Sequence, residues 1–341
     1  MRVALLGYFG WGNFGDQLFL DTVRTRSNEL FGEGTTIMCL PRRNLAWHAR
    51  LGAVGSMMRV AYALRAALTA DVVVRCGGSV FSDVRGTNAI LRKYASGRLQ
   101  ALGVSVGPFA SAQKAGEVAS FLTRFERVVF RDDSWRLLLG RLEGSWAQGG
   151  DLAALSHRIV CRGPREGIVV CPSAASHRGP EILVSQAIQA VRRFQEAGYS
   201  DEVTVLALNS HPRIGDKTIC KVVEAQLRAK GISVTVRDFG DLGVEGTCDV
   251  LASARLVISE RLHGAVVAYL AGGRFILVDH HQKCRDFLED IGAVDEVVVQ
   301  PDERNLDLAL EAALGVAPPY SVAPSMYIER ALSVYCGKGR N

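Results

Sequence analysis

Ile258-Ser259-Glu260-Arg261-Leu262-His263-Gly264-Ala265-Val266-Val267-Ala268-Tyr269-Leu270-Ala271-Gly272 decides the fold, because a strand gives way to a helix inside it. The residues leading in, Arg255-Leu256-Val257-Ile258, are apolar and β-branched, while those after Leu262 are small and suited to a helix. Arg261 and His263 therefore fall at the first helical turn. Unsatisfied amide N–H groups and the helix dipole favour an anion there. A lone histidine at such a junction is more often a structural hydrogen-bonder than a catalyst, so the rest of the chain must supply the context.

Working outward, apolar runs alternate with helical-period segments along the whole chain. Val3–Leu6, Thr36–Leu40, Val72–Arg75, Gly103–Val106 and Val128–Phe130 read as one set of strands. Ile168–Cys171, Val203–Ala207, Ser233–Val236, Leu256–Ile258 and Phe275–Val278 read as a second set. This is an α/β pattern of two doubly wound, Rossmann-like domains, expected to face a cleft. At 341 residues the chain exceeds what one core usually supports. The Gly/Pro/Arg-containing stretch Arg162–Gly167 places the boundary near residues 155–166. We expect domains at 1–158 and 159–316, then a tail, 317–341, that begins at Ala317-Pro318-Pro319 and holds a helix over Met326–Tyr335.

A chain with 48% hydrophobic and 22% charged residues is a soluble globular protein by composition, not a disordered one. The net charge of +5 is mild and no dense basic block occurs, which argues against nucleic acid as a partner. Such a surface is most simply a solvated one with a small surplus of arginine, and peripheral contact with anionic lipid or an anionic sugar carrier is the alternative. The apolar run Ala265–Ala271 is bounded by His263 and Arg274, too short to span a bilayer. The chain enters its first strand without a cationic leader, so a cytoplasmic location, extending to the inner face of the membrane, is expected. The eight cysteines form no close-spaced pair and read as buried thiols in a reducing compartment.

Several strand ends carry chemistry. Gly10-Trp11-Gly12-Asn13-Phe14-Gly15 satisfies G-x-G-x-x-G after the first strand, which alone suggests a nicotinamide dinucleotide. However, the second strand ends in Leu40-Pro41-Arg42-Arg43 instead of an acidic ribose ligand, leaving at most a phosphorylated ribose. Tyr8, Phe9, Trp11 and Phe14 also make the loop bulky, favouring a loop that shapes a cleft. No cofactor is expected. Asp16 closes this loop where a helix begins, as an N-cap or as an acid. Arg131 follows Phe125–Phe130, either paired with Asp132 or Asp133 or free to grip an anion. Lys283 starts a helix after Phe275–Val278, exposed or on a ligand. Gly77-Gly78-Ser79 and Gly107-Pro108 offer backbone amides or simply turn. Asn209-Ser210-His211-Pro212-Arg213 could meet a ligand or turn. His280 and His281 look like a metal pair only superficially, and no metal is expected.

Taken with Asp279–Phe287, Gly77–Asp83, Gly107–Ala110, Arg131–Trp135 and Gly149–Leu152, these segments resemble the polysaccharide pyruvyl transferase family over roughly Arg2 to Gly292. The resemblance implies a fold like that of GT-B glycosyltransferases. It implies transfer from phosphoenolpyruvate onto a sugar of a cell-surface polysaccharide, or its lipid- or nucleotide-linked precursor, forming a cyclic pyruvate ketal and releasing phosphate. On this resemblance Asp16 is the general acid toward the donor methylene, which requires a carboxyl that keeps its proton near neutral pH. Where the family often has a second acidic residue, this chain has Gln17. Arg131 binds the donor, Lys283 offers a point charge to its phosphate, and His263 either binds that phosphate or exchanges a proton with the acceptor hydroxyl. Asn13, Gly15, Gly78, Ser79 and Arg261 are supporting positions. Asp16, Arg131, His263 and Lys283 each follow an expected strand's carboxyl end, where open α/β sheets bind ligands, two from each half. Two other readings remain: a nucleotide-sugar-dependent GT-B glycosyltransferase, and a non-catalytic glycan- or nucleotide-binding module.

Overall fold

The β-branched runs pair as parallel strands in the computed structural model, which describes residues 1–39, 53–176, 179–199, 202–278, 281–293, 298–299, 310–311, 314–315 and 318–337. Two compact units emerge. One comprises Met1–Trp11, Asp16–Ser156 and Ile328–Asn341, the other Gly12–Gly15 and His157–Tyr327.

In chain order the first unit is built from β1 (Arg2–Leu6), α1 (Phe14–Thr25), α2 (Ser27–Phe31), β2 (Thr36–Met38), α3 (Ala53–Thr69), β3 (Val72–Phe81), α4 (Gly86–Tyr94), β4 (Arg98–Val106), α5 (Ala112–Leu122), β5 (Phe125–Phe130) and β6 (Trp146–Gln148). Its sheet order is β2-β1-β3-β4-β5-β6, parallel throughout. The winding direction reverses between β1 and β3, the place where such sheets open a crevice at their carboxyl ends. Strands covered on both faces need continuous apolar runs, and Val3–Leu6 and Val72–Val74 are buried throughout. Phe125 meets Phe81 and Phe121 edge-on, and Phe81 and Phe121 pack tilted, with centroids 5.1–6.2 Å apart. Burying each such ring contributes roughly 1.5–3 kcal/mol.

The second unit contains β7 (Glu166–Cys171), α6 (Glu181–Glu196), β8 (Val203–Ala207), α7 (Lys217–Arg228), β9 (Val234–Asp238), α8 (Phe239–Ser253), β10 (Ala254–Ser259), α9 (Leu262–Leu270), β11 (Arg274–Val278), α10 (Gln282–Asp290) and β12 (Val298–Val299). The sheet runs β12-β11-β10-β7-β8-β9, again all parallel. Helix α11 (Pro324–Cys336) follows. Its end packs in the first unit, where the fully buried Tyr335 donates to the Gly150 carbonyl at 2.7 Å.

The structure extends the sequence reading at β3. The strand does not stop at Arg75, and Gly77-Gly78-Ser79 are not a turn beyond it. Gly77 and Gly78 adopt φ of 67° and 74°, and Gly78 and Ser79 still pair with Val104 and Ser105 before the register shifts. Only glycine takes that backbone cheaply, so a bent strand looks like a turn in sequence. Strands β6 and β12 were not anticipated, being too short to show a period. Leu40, Pro41, Arg42, Arg43, Asp279 and His280 lie outside the described residues. Among those described, no helix is long and apolar enough to cross a membrane, and no disulfide joins the eight cysteines.

Candidate functional site

The start of α9 is held by short-range bonds that its sequence dictates. Ser259 Oγ accepts from the Arg261 N–H at 3.0 Å and donates to the Arg261 carbonyl at 2.6 Å, closing a tight turn between β10 and the helix. A side chain at Gly264 would overlap Ser259, so the turn requires glycine there. Arg261 occupies the N-cap position, and its guanidinium reaches Asp216 with two bonds, Nε to Oδ2 at 3.0 Å and Nη2 to Oδ1. Asp216 is wholly buried and also accepts from the Ala174 N–H at 3.0 Å and the Asn209 N–H at 2.9 Å. One carboxylate thus ties together the loops after β7, β8 and β10. The pair fixes the start of α9, two residues before His263.

Glu260, 3% exposed, accepts from the Ser173 N–H at 2.8 Å. Burial raises its pKa above the usual carboxylate value, with the Ser173 bond acting in the opposite direction.

The segment Gly12–Gly15 lies on this same unit. Phe14 N–H donates to the Leu208 carbonyl at 2.9 Å, Ser210 N–H donates to the Gly12 carbonyl at 2.8 Å, and Asn13 bridges Asn209 antiparallel. Phe14 packs edge-on against Phe239 with centroids 5.6 Å apart. A Cβ on Gly12 would press on the His211 backbone, and a Cβ on Gly15 would overlap the His263 imidazole. These glycines therefore permit close approach of chain and ring, a different use from seating a pyrophosphate. His211 turns inward: its Nδ1 accepts from the N–H groups of Arg213 and Ile214 at 3.1 and 3.2 Å. Burial, helped by Arg213, lowers its pKa and favours the neutral ring.

The remaining candidates sit as follows. Asp16 is the residue after Gly15, half-buried in the first turn of α1; that helix begins at Phe14, so Asp16 is inside it and not at its cap. Its carboxyl lies near the Cys76 thiol, whose pKa burial pushes far up, with Asp16 acting in the same direction. Gln17 is buried and its Nε2 has no partner among the described residues. Lys283 is half-buried in the first turn of α10, whose N-cap is His281, with Nδ1 accepting from the Lys283 N–H at 3.4 Å. Because β10 and β11 are neighbours, His263 and Lys283 begin adjacent helices.

Arg131 directly follows β5, three strands along from β1 in its sheet. It is 6% exposed, pairs with Asp132 at 3.2 Å, and donates to Ser105 Oγ at 2.7 Å. Of the two acids weighed in the sequence, Asp132 is the partner, while Asp133 pairs with Arg136. Gly78 and Ser79 belong to the first unit, Asn13, Gly15 and Arg261 to the second. Sequence reasoning missed Asp216, because an aspartate just before Lys217–Arg228 looks like a helix cap; it makes no side-chain cap bond. Among the described residues no group of three or more His, Cys, Asp or Glu could hold a metal ion.

Comparison with known proteins agrees with this architecture. The structure is similar to Staphylococcus aureus MnaA in its UDP co-structure, with a TM-score of 0.59 at 9% identity over 99% of this chain and 92% of that one. It is similar to the UDP-GlcNAc 2-epimerases of Methanocaldococcus jannaschii, at TM-score 0.53 and 13% identity over 98% and 99% of the chains. The Neisseria meningitidis enzyme bound to UDP-GlcNAc matches at 0.55 and 8% identity over 98% and 100%. At such identities the likeness is one of fold, the two-domain α/β arrangement of the GT-B class. No curated protein matches the sequence. The sequence model for polysaccharide pyruvyl transferase matches residues 13–282, and the chain belongs to the polysaccharide pyruvyl transferase family.

Proposed function

We propose that the protein transfers the enolpyruvyl-derived group of phosphoenolpyruvate to a sugar, closing a cyclic pyruvate ketal and releasing phosphate. The observation that carries this reading is the placement of the His263 ring against Gly15, the residue that precedes Asp16. On this reading the ring that holds an anion or takes a proton packs against the residue that precedes the proton donor in the chain.

The chemistry runs in balance. Asp16, protonated, gives its proton to the donor methylene, and the second carbon becomes electrophilic. A sugar hydroxyl attacks that carbon and loses its proton to His263 or to Asp16. The carbon–oxygen bond to phosphate breaks with its electrons going to phosphate, and a second hydroxyl of the same sugar closes the ketal, its proton leaving with the phosphate as hydrogen phosphate. General acid action of this kind contributes about a hundred- to ten-thousandfold. Lys283, at the first turn of α10, and His263, at that of α9, collect the donor's negative charge, with the helix dipoles adding to it. Arg131 contributes positive potential at the end of β5 while its carboxylate partner holds it in place. The acceptor belongs to a cell-surface polysaccharide or its carrier-linked precursor, met in the cytoplasm or at the membrane's inner face.

The test is phosphate release from phosphoenolpyruvate with a candidate glycan, alongside calorimetry of donor binding. Asp16→Asn should lower turnover by about a hundredfold or more with donor affinity kept. His263→Ala, Lys283→Ala and Arg131→Ala should each weaken donor binding. Equal affinity in all of these and the parent protein would sink the reading. Release of a nucleotide from a nucleotide sugar, with phosphoenolpyruvate untouched, would replace it by glycosyl transfer.

A further inference from the structure

The first unit contains a cavity of about 460 Å³ at the switch between β1 and β3, with Leu6 to Phe9 on one side and Arg75, Ser79 and Asn88 on the other. Arg75 is its unusual wall. It is 6% exposed, on the central part of β3, and among the described residues it has no carboxylate partner. Its hydrogen bonding there amounts to a long 3.5 Å contact from Nη1 to the Leu6 carbonyl, and its buried Nε has no acceptor. Burial pulls its pKa down to about 10, and the neighbouring Tyr8 and Cys76 offset this only in part. A guanidinium this buried is expensive unless something anionic completes it.

The other lining groups describe that something. Arg59, stacked over Trp11 at 4.5 Å, adds a second cation, and Arg85 a third. The acidic group lining the cavity, Asp83, is already engaged with Arg85, through the Arg85 N–H at 3.0 Å and its guanidinium at 4.0 Å. Asn88 donates from Nδ2 to the carbonyls of Val80 and Asp83 at 2.8 and 3.1 Å, while its buried Oδ1 has no donor. An orphaned cation and an orphaned acceptor in one wall ask for an anion and a hydroxyl on one molecule. Tyr8, half exposed, and Phe9 supply aromatic surface of the kind sugar rings lie on.

We propose that this cavity binds a hexose bearing a phosphate or carboxylate, with Arg75 pairing with the anion and Asn88 accepting from a ring hydroxyl. The assignment rests on the proposed action on a sugar and makes the charged portion of the acceptor the feature selected.

The test is calorimetry on the full chain with α-D-glucose 1-phosphate, D-glucuronate, D-glucose and inorganic phosphate, with hydrogen exchange locating the bound sugar. At least one charged sugar should bind about tenfold or more tightly than D-glucose and than inorganic phosphate, since a charge-assisted pair is worth about that factor. The tighter of the two charged sugars identifies the anion as phosphate or carboxylate. Protection should cover residues 6–9 and 79–88. Arg75→Gln should abolish the preference, and Arg59→Ala, on a half-buried side chain, should reduce it; if Arg75→Gln does not fold, Arg59→Ala and exchange on the parent protein decide. Equal binding of D-glucose and the charged sugars, or protection confined to residues 261–264, overturns the assignment. Lost discrimination with phosphoenolpyruvate turnover intact counts against the cavity alone. Discrimination without any phosphoenolpyruvate turnover counts against the pyruvyl reading alone.

Discussion

Arg261 and Arg75 are both withdrawn from water at the sheet of their unit, yet they live in opposite electrostatic circumstances. Arg261 is completed by Asp216 through two bonds, and that same carboxylate fastens the loops after β7 and β8. Arg75 has carbonyl, thiol and aromatic neighbours, including the Phe81 ring at 6.0 Å, but no carboxylate among the described residues. A compensated arginine acts as architecture, setting where another side chain stands. An uncompensated one is a cost to the fold that a ligand can relieve. Arg131 is also compensated, by Asp132 and Ser105, so on the proposed reading it offers the donor positive potential from a fixed position.

The largest expected effect tests the architectural side. Asp216→Ala leaves the Arg261 charge uncompensated and unties three loops, so urea unfolding should show a loss of about 3–5 kcal/mol. A loss below about 1 kcal/mol would mean that the pair is as dispensable as a surface bridge.

Next comes Gly15→Ala. Gly15 lies within α1 without a positive φ, and alanine is the better helix former, so propensity favours the change. Any damage must come through His263. We expect turnover to fall by about a hundredfold, as for a misplaced reacting group, while the melting temperature changes little. Unchanged phosphate release would detach His263 from the chemistry.

A smaller effect sharpens the contrast directly. Arg75→Met removes an uncompensated buried charge and should leave unfolding stability within about 1 kcal/mol of the parent or above it. Arg261→Met strands Asp216 and should be clearly destabilising. If the two substitutions cost the same, the distinction between them fails.

The smallest effect concerns Glu260. Its folded-state pKa lies above its unfolded value because of burial. The folded state therefore holds the proton more tightly, and stability rises as pH falls through the window between the folded and unfolded values. Glu260→Gln keeps an acceptor for the Ser173 N–H, so it should flatten that slope and slightly raise stability at neutral pH. A slope unchanged in denaturation curves across that window would assign the dependence to another group.

Most of the fold was legible because parallel strands covered on both faces must be apolar throughout, and β-branched runs such as Val203–Ala207 advertise this. The extent of β3 was not. Two glycines at positive φ look like a turn, although the ladder to β4 continues through them. The positions of the candidate residues were legible at helix starts, where His263, Lys283 and Asp16 follow strand ends. Asp216 was not, since its partner lies 45 positions away and its local setting imitates a cap.

By its own order of residues the chain determined its alternation of strand and helix, its division into two sheets and its family, because these depend on periodicity and short-range spacing. Only the tertiary structure decided which charges are answered. That Asp216 completes Arg261, that Gly15 makes room for His263, and that Arg75 has no carboxylate partner among the described residues are matters of distance between segments remote in sequence. Hydrophobic pattern acts along the chain, whereas compensation of a buried charge acts across a few ångströms of space.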